Sequence, residues 1–185
     1  MTVAAMGLPM QTFTGRVVYP LHVDQDAICI EDIAHHLSLV NRFGGATHEP
    51  YSVAQHSVLV SYCCDPADAL HGLLHDATEA YLGDVITPMK QLSIMRPYRA
   101  VEAQLQVAIY ARFGMALETP ASVKLMDQRL AVTEAQQLFL PEAVPQWAQH
   151  AEGLPGLGED MIQPWPAAQA EAQFLRRFRQ LTGEE

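Results

Sequence analysis

From about residue 30 onward, apolar positions recur at helical spacing, in runs separated by Gly and Pro. Ile33, Leu37 and Val40 fall at i, i+4 and i+7, which predicts a first helix from Ile30 to Phe43, stopped by Gly44-Gly45. A second helix is predicted from Ser52 to Cys63, with Val53, His56, Val60 and Cys64 near one face. Asp65-Pro66 supplies an N-cap and a proline at the first helical position. It opens a third helix from Ala67 to Leu82, closed by Gly83 and kept from continuing by Pro88. A fourth helix runs from near Pro97 to Phe113-Gly114 with Val101, Leu105, Ala108 and Ile109 inward. Thr119-Pro120 starts a fifth that reaches about Leu140, with Val123, Met126, Asp127 and Leu130 on its inner face.

The two ends break this rhythm. Residues 1–10 have no period and read as a loose leader, and residues 11–22 carry Thr, Val, Phe and Tyr around Gly15, which predicts a short hairpin ended by Pro20. Residues 141–164, rich in Pro and Gly, predict a covering loop with one helical turn near Trp147. A last helix follows from Pro166 to Leu181, with Phe174 and Leu175 inward. Its Arg176, Arg177 and Arg179 suit a solvated helix C-terminus. The expected fold class is therefore all-α, a helical bundle with at most a short N-terminal β-hairpin. One domain is expected over residues 1–185, with its core at about 30–140 and the covering loop and helix at 141–185.

Composition narrows the function. A content of 49% hydrophobic and 17% charged residues fits a packed globule and not a disordered chain. The net charge of −10 argues against nucleic-acid binding but leaves room for a small phosphorylated ligand held by local cations and a metal. The three cysteines, Cys29, Cys63 and Cys64, form neither a disulfide framework nor a Cys-x-x-Cys site, which suits a reducing cytoplasm. No signal peptide and no membrane-spanning run is visible, so no membrane partner is expected.

The chemistry concentrates in residues 70–90. His75 and Asp76 stand side by side in an apolar helix, Glu79 follows one turn later, and Gly83-Asp84 and Thr87-Pro88 follow that. Burying an imidazole and a carboxylate without partners costs several kcal/mol. A divalent metal is the simplest partner for both. His56 and Asp127 also sit on inner faces, so three helices point His, His-Asp and Asp toward one core. Mixed imidazole and carboxylate donors suit Mn, Co, Mg, Fe, Ni or Zn. His71 shares a face with His75 but is read as a supporting or core residue, and His35 and His36 as surface or packing residues.

His56, then His75-Asp76, then the distant Asp127 resembles the H…HD…D signature of the HD-domain metal-dependent phosphohydrolases. Asn41-Arg42-Phe43, Glu79, Gly83-Asp84 and Thr87-Pro88-Met89-Lys90 are further similar to the bacterial 5′-deoxynucleotidases of that superfamily, and equally to the small phage dATP triphosphohydrolases. The match covers about Glu31 to Leu130. The resemblance implies an HD-domain bundle and an enzyme in which His56, His75, Asp76 and Asp127 bind the metal. It implies that Glu79 and Asp84 position or deprotonate the attacking water. It implies that Arg42 clamps a phosphate, that Phe43 packs near sugar or base, and that Lys90 and the loop residue His48 reach phosphate. Phe43 stands where the deoxynucleotidase pattern has Trp, and the shorter gap between His56 and His75 trims the loop and opens room for a longer phosphate chain.

Three functions stay open at this point. The first is a 5′-deoxynucleotidase turning a dNMP into deoxynucleoside and phosphate. The second is a dNTP triphosphohydrolase releasing triphosphate, for which further Lys or Arg would have to reach the outer phosphates. The third is a metal-dependent nucleotide sensor without turnover, which would have no need of Glu79 and Asp84. The expected partners are a nucleotide and further copies of the chain, as a homodimer or higher homo-oligomer.

Overall fold

A computed structural model of the chain describes residues 7–144 and 162–183. The predicted covering loop and its turn near Trp147 fall largely outside them. The N-terminal hairpin is present but small: β1 (Met10–Gln11) pairs antiparallel with β2 (Val17–Val18). Among the described residues, the remaining regular elements are helical. No helix among the described residues is long and apolar enough to cross a membrane.

Helix α1 (Ile30–Leu39) buries Ile33, Ala34 and Leu37, and Glu31 and Asp32 in its first turn suit the positive end of the helix. It ends four residues before the predicted stop. Val40 turns extended, its carbonyl accepts the N–H of Val53, and the Arg42 N–H donates to the carbonyl of Tyr51. The chain leaving α1 thus pairs with the chain entering α2, which uses the backbone groups a longer helix would need. Gly44 is not the stop of a helix but part of a left-handed corner shared with Phe43.

Helix α2 (Val53–Cys63) has its N-terminus capped by Ser52, whose hydroxyl accepts from the Gln55 N–H. Residues on all its sides are buried, as befits a central helix. Against it packs α3 (Ala69–Leu74), and the approach is close. A Cβ on Gly72 would meet Cys64 Sγ at 2.8 Å and Ser61 Cα at 3.0 Å.

The predicted third helix is in fact broken. A 3₁₀ turn (Pro66–Asp68) precedes α3, and the Asp65 side chain makes no capping bond. Residues 75–78 form a tight turn with i→i+3 bonds, Ala77 N–H to Leu74 O and Glu79 N–H to Asp76 O, before α4 (Glu79–Leu82) resumes. Gly83, at φ 75°, closes α4. Pro88 does not act as a barrier there; it sits in the first turn of a short α5 (Thr87–Lys90), where its missing N–H does no harm.

Helix α6 (Arg96–Arg112) buries Leu105, Ala108, Ile109 and Tyr110. Helix α7 (Ala121–Leu138) buries Val123 and Leu130 and, further along, Glu134. Helix α8 (Ala167–Thr182) lays Ala170, Phe174 and Phe178 across α1, α2 and α3. One of its predicted solvated arginines is partly buried and bonded to α2. Arg177 donates from Nε to Ser61 Oγ and from Nη2 to the Ser61 carbonyl, both at 3.0 Å, and its guanidinium lies 4.0 Å from the Tyr62 ring centre. Arg176 and Arg179 are exposed.

Candidate metal centre

His56 comes from the middle of α2, His75 and Asp76 from the tight turn after α3, and Asp127 from α7. The structure brings all four together. His56 Nε2 lies 3.3 Å from His75 Nε2, 3.1 Å from Asp127 Oδ1 and 3.7 Å from Asp76 Oδ2. His75 Nε2 lies 3.2 Å from Asp76 Oδ2 and 3.8 Å from Asp127 Oδ1. Donors about 2.0–2.2 Å from one shared ion stand roughly 3 to 3.5 Å from each other, close to this spacing. His56, His75 and Asp76 could hold a metal ion.

The histidine orientation fits the same purpose. His56 Nδ1 donates to Glu134 Oε1 at 2.6 Å, and His75 Nδ1 donates to the Gly72 carbonyl at 2.9 Å. Both rings therefore turn Nε2 inward. The carboxylates around the two histidines favour their protonated forms. Burial opposes the charged form of His75, but Asp76 and Asp127 outweigh it and push its pKa well above the ordinary value. His56 is also raised, against burial and Arg42, by Glu134 and Asp127. Asp127 is held well below the carboxylate range, against its burial, by hydrogen bonds to the two histidines. These are the protons that cation binding would release.

Glu134 is a site residue that the sequence reading did not single out. It is fully buried, and four donor atoms fill its carboxylate. Tyr51 Oη (2.8 Å) and His56 donate to Oε1, while Arg42 Nε and Nη2 donate to Oε2, each at 3.0 Å. A signal was available: Asp127, Leu130 and Glu134 fall at i, i+3 and i+7, one face over two turns. Arg42 also reaches Asp76 through Nη1 at 3.4 Å, so it ties two ligand-bearing elements together. Its pKa is raised against burial, chiefly by Glu134 and Asp76.

A cavity of about 300 Å³ opens beside His75 and Asp76, walled by Thr78, Lys90, Arg99, Glu102 and Gln106. Glu79 is buried close by. Lys90 Nζ lies 3.3 Å from its Oε1 and 2.8 Å from Glu102 Oε1, while Glu79 Oε2 is buried without a hydrogen-bond partner. Burial first, and then the charges of Asp76 and Asp84, push the Glu79 carboxyl up to about 9. Lys90 is thus shared between Glu102, the shorter contact, and Glu79. Arg99 Nη1 donates to the Lys90 and Leu92 carbonyls.

The remaining expected residues sit around this rim. Asp84 is half-buried and accepts the backbone N–H of Phe43; burial and Asp76 raise its pKa. Phe43, a non-glycine residue at φ 56°, packs its ring edge-on to Phe139 at 4.9 Å and lies 5.1 Å beneath the Arg42 guanidinium. His48 is turned to the end of α7, its Nδ1 2.7 Å from the Leu138 carbonyl. His71 likewise bonds the Ala116 carbonyl at 2.9 Å, outside the cluster. His35 pairs with Glu171 at 3.0 Å and stacks on Phe13. His36 bridges the Phe13 N–H and the Ala80 carbonyl, so both are packing residues.

Comparison with known proteins agrees with this architecture. No family model matches the chain. The uncharacterized protein YfdR of Escherichia coli (strain K12) is 33% identical over 173 residues, covering 94% of this chain and 95% of that protein. An uncharacterized protein of Rhodobacter capsulatus is 40% identical over 122 residues, 59% of this chain and 62% of that one. Among solved structures, the chain superposes on the cyanophage S-2L HD phosphohydrolase DatZ bound to dA and one catalytic Zn2+ ion. The TM-score is 0.53 at 18% identity, over 85% of this chain and 99% of that chain. The chain thus belongs to the family of the Escherichia coli protein YfdR and has the helical fold of the HD phosphohydrolases.

Proposed function

We propose that the chain is a divalent-metal-dependent phosphohydrolase acting on deoxynucleotides, and specifically a 5′-deoxynucleotidase. The observation that carries this reading is the convergence of His56, His75, Asp76 and Asp127, with a cavity opening beside His75 and Asp76 and a buried Glu79 that holds an unsatisfied carboxyl oxygen. The HD phosphohydrolase of the same fold, bound to dA and Zn2+, supports it.

His56, His75, Asp76 and Asp127 would hold the ion, which when bound supplies a polarised phosphate oxygen and a water of lowered pKa. Glu79 and Asp84 orient the attacking water. In its ionised form Glu79 takes the water's proton and passes it to the departing oxygen. The water oxygen bonds to phosphorus, the P–O5′ bond breaks, and the departing oxygen takes up a proton to leave as deoxynucleoside. The Nη1 edge of Arg42, with Lys90, faces the negative charge that shifts during attack.

The commitments of the cations favour the monophosphate. Lys90 is shared between Glu79 and Glu102, Arg99 donates to backbone carbonyls, and Arg42 has two donors on Glu134. A triphosphate would need cations that reach past these. We place the activity in the cytoplasm.

Product analysis tests the reading. The protein is incubated with each dNMP and dNTP in Mn, Co or Mg, and the products are separated by chromatography. Phosphate and deoxynucleoside from a dNMP are expected. Intact triphosphate from a dNTP would replace the nucleotidase with a triphosphohydrolase. Metal binding with no turnover of any of them would replace both with a nucleotide sensor.

A further inference from the structure

We infer that Glu134 is the positioning residue of the metal site: its buried carboxylate, braced by Arg42 and Tyr51, locks His56 with Nδ1 protonated and Nε2 presented to the ion. The inference rests on the metal-dependent reading of the same site.

The argument is geometric. His56 is fully buried in α2, so its protein partners settle which nitrogen carries the proton. A neutral imidazole has one donor and one acceptor, and only the acceptor can bind a metal. Glu134 Oε1 at 2.6 Å accepts from Nδ1, so the lone pair faces His75, Asp76 and Asp127. Glu134 is itself immobilised. Tyr51 adds a bond to the same oxygen, and the planar fork of Arg42 engages the other through two nitrogens. Arg42 and Tyr51 are placed by the backbone pairing between the end of α1 and the start of α2. The lock is therefore built from that corner and from α7, while the fourth ligand, Asp127, stands seven residues before Glu134 on the same helix. One helix face supplies both a ligand and the group that orients another.

His75 serves as the internal contrast. Its Nδ1 is held by a backbone carbonyl, Gly72, which no side-chain substitution removes. Loss of the lock should thus affect one histidine only.

Glu134→Gln tests this. The amide keeps the shape, but whichever way it turns, an NH₂ group faces either His56 and Tyr51 or Arg42. Zinc and cobalt affinities are measured by chelator competition, alongside melting temperature and the histidine ring ¹⁵N shifts of the metal-loaded protein. The expected result is a folded variant with affinity reduced roughly 10- to 100-fold and a shifted His56 resonance, with His75 unchanged. Tyr51→Phe, which keeps the Glu134 contact to His56 and removes one brace, is expected to lose less affinity than Glu134→Gln. Unchanged affinity in Glu134→Gln overturns the inference, and so does an equal loss in Tyr51→Phe. If Glu134→Gln does not fold, the wild-type protein decides: a His56 Nδ1 proton protected from solvent exchange supports the lock, and a freely exchanging one removes it. Tight metal binding without hydrolysis in wild type would overturn the proposed function and leave this inference standing.

Discussion

The candidate site has two walls of opposite character. The wall made by α2, α7 and the α1–α2 corner is electrostatically complete. Glu134 has all its donors, both histidines have partners on Nδ1, and Arg42 spans Glu134 and Asp76. The wall made by α4, α5 and α6 is unfinished. Glu79 has a buried oxygen without a partner and a pKa near 9, Asp84 is raised, and one lysine serves two carboxylates. Buried groups that are fully paired make a rigid frame, and groups left unpaired are retained at a stability cost where a ligand completes them. The difference is what the proposed function expects, with the metal at the first wall and the substrate and its water at the second.

Breaking the ligand set gives the largest effect. Asp76→Ala removes one of the two carboxylates in the cluster, and turnover is expected to fall by more than about 10³-fold with loss of bound metal. Product chromatography and metal analysis of the same preparation check this. A variant that keeps both its metal and its activity would take Asp76 out of the site.

Glu79→Gln sharpens the contrast, because it should harm function and help the fold. Turnover is expected to drop by roughly 10²- to 10⁴-fold. The stability sign follows from the raised pKa, from 4.5 to about 9. Between those values the folded chain holds a proton that the unfolded chain releases, so the contribution of Glu79 to stability is full below about pH 4.5 and declines as pH rises toward 9. Glutamine cannot ionise. The melting temperature of metal-free Glu79→Gln should therefore gain on wild type progressively from pH 5 to pH 9. A difference that stays flat with pH would show that Glu79 is an ordinary carboxylate.

Gly72→Ala tests the frame from behind. The added methyl meets Cys64 Sγ and the Ser61 backbone, so α3 must move off α2, and His75 moves with it relative to His56. Overpacking of this kind destabilises by about 1–3 kcal/mol. A lower denaturant midpoint and weaker metal binding are expected together. A variant weaker in stability alone would mean that the His56–His75 spacing adjusts independently of the helix contact.

How much of this was legible beforehand depends on where the information lies. The helices whose stripes are local, α2, α6 and α7, agree with the sequence to within a few residues. The four candidate ligands were legible by residue type, since His and Asp on apolar faces need a partner, and the structure brings them together. The break at residues 75–78 was not, because His75 and Thr78 at its ends keep helical dihedrals while the hydrogen bonds shift to i→i+3. The early end of α1 depends on pairing with residues 51–53. Arg42 was legible as a site residue, but its main partner lies 92 positions away, and no local pattern separates a guanidinium waiting for phosphate from one already bound to Glu134.

Arg177 gives the smallest effect and separates the frame from the scaffold outside it. It holds Ser61 on α2 by two hydrogen bonds and lies over Tyr62, on the side of α2 that meets α8. Arg177→Met keeps the aliphatic stem but loses both bonds, and a destabilisation of about 1–2 kcal/mol is expected. Arg176→Met, on the exposed side of the same helix, should change stability by less than about 0.5 kcal/mol. Metal affinity and turnover should be unchanged in both, because His56 is oriented from the α7 side by Glu134 and not from the α8 side. Chemical denaturation of the two variants, with metal titration in parallel, decides the point. A loss of affinity in Arg177→Met would show that the orientation of α2, and not the Glu134 contact alone, sets the position of His56.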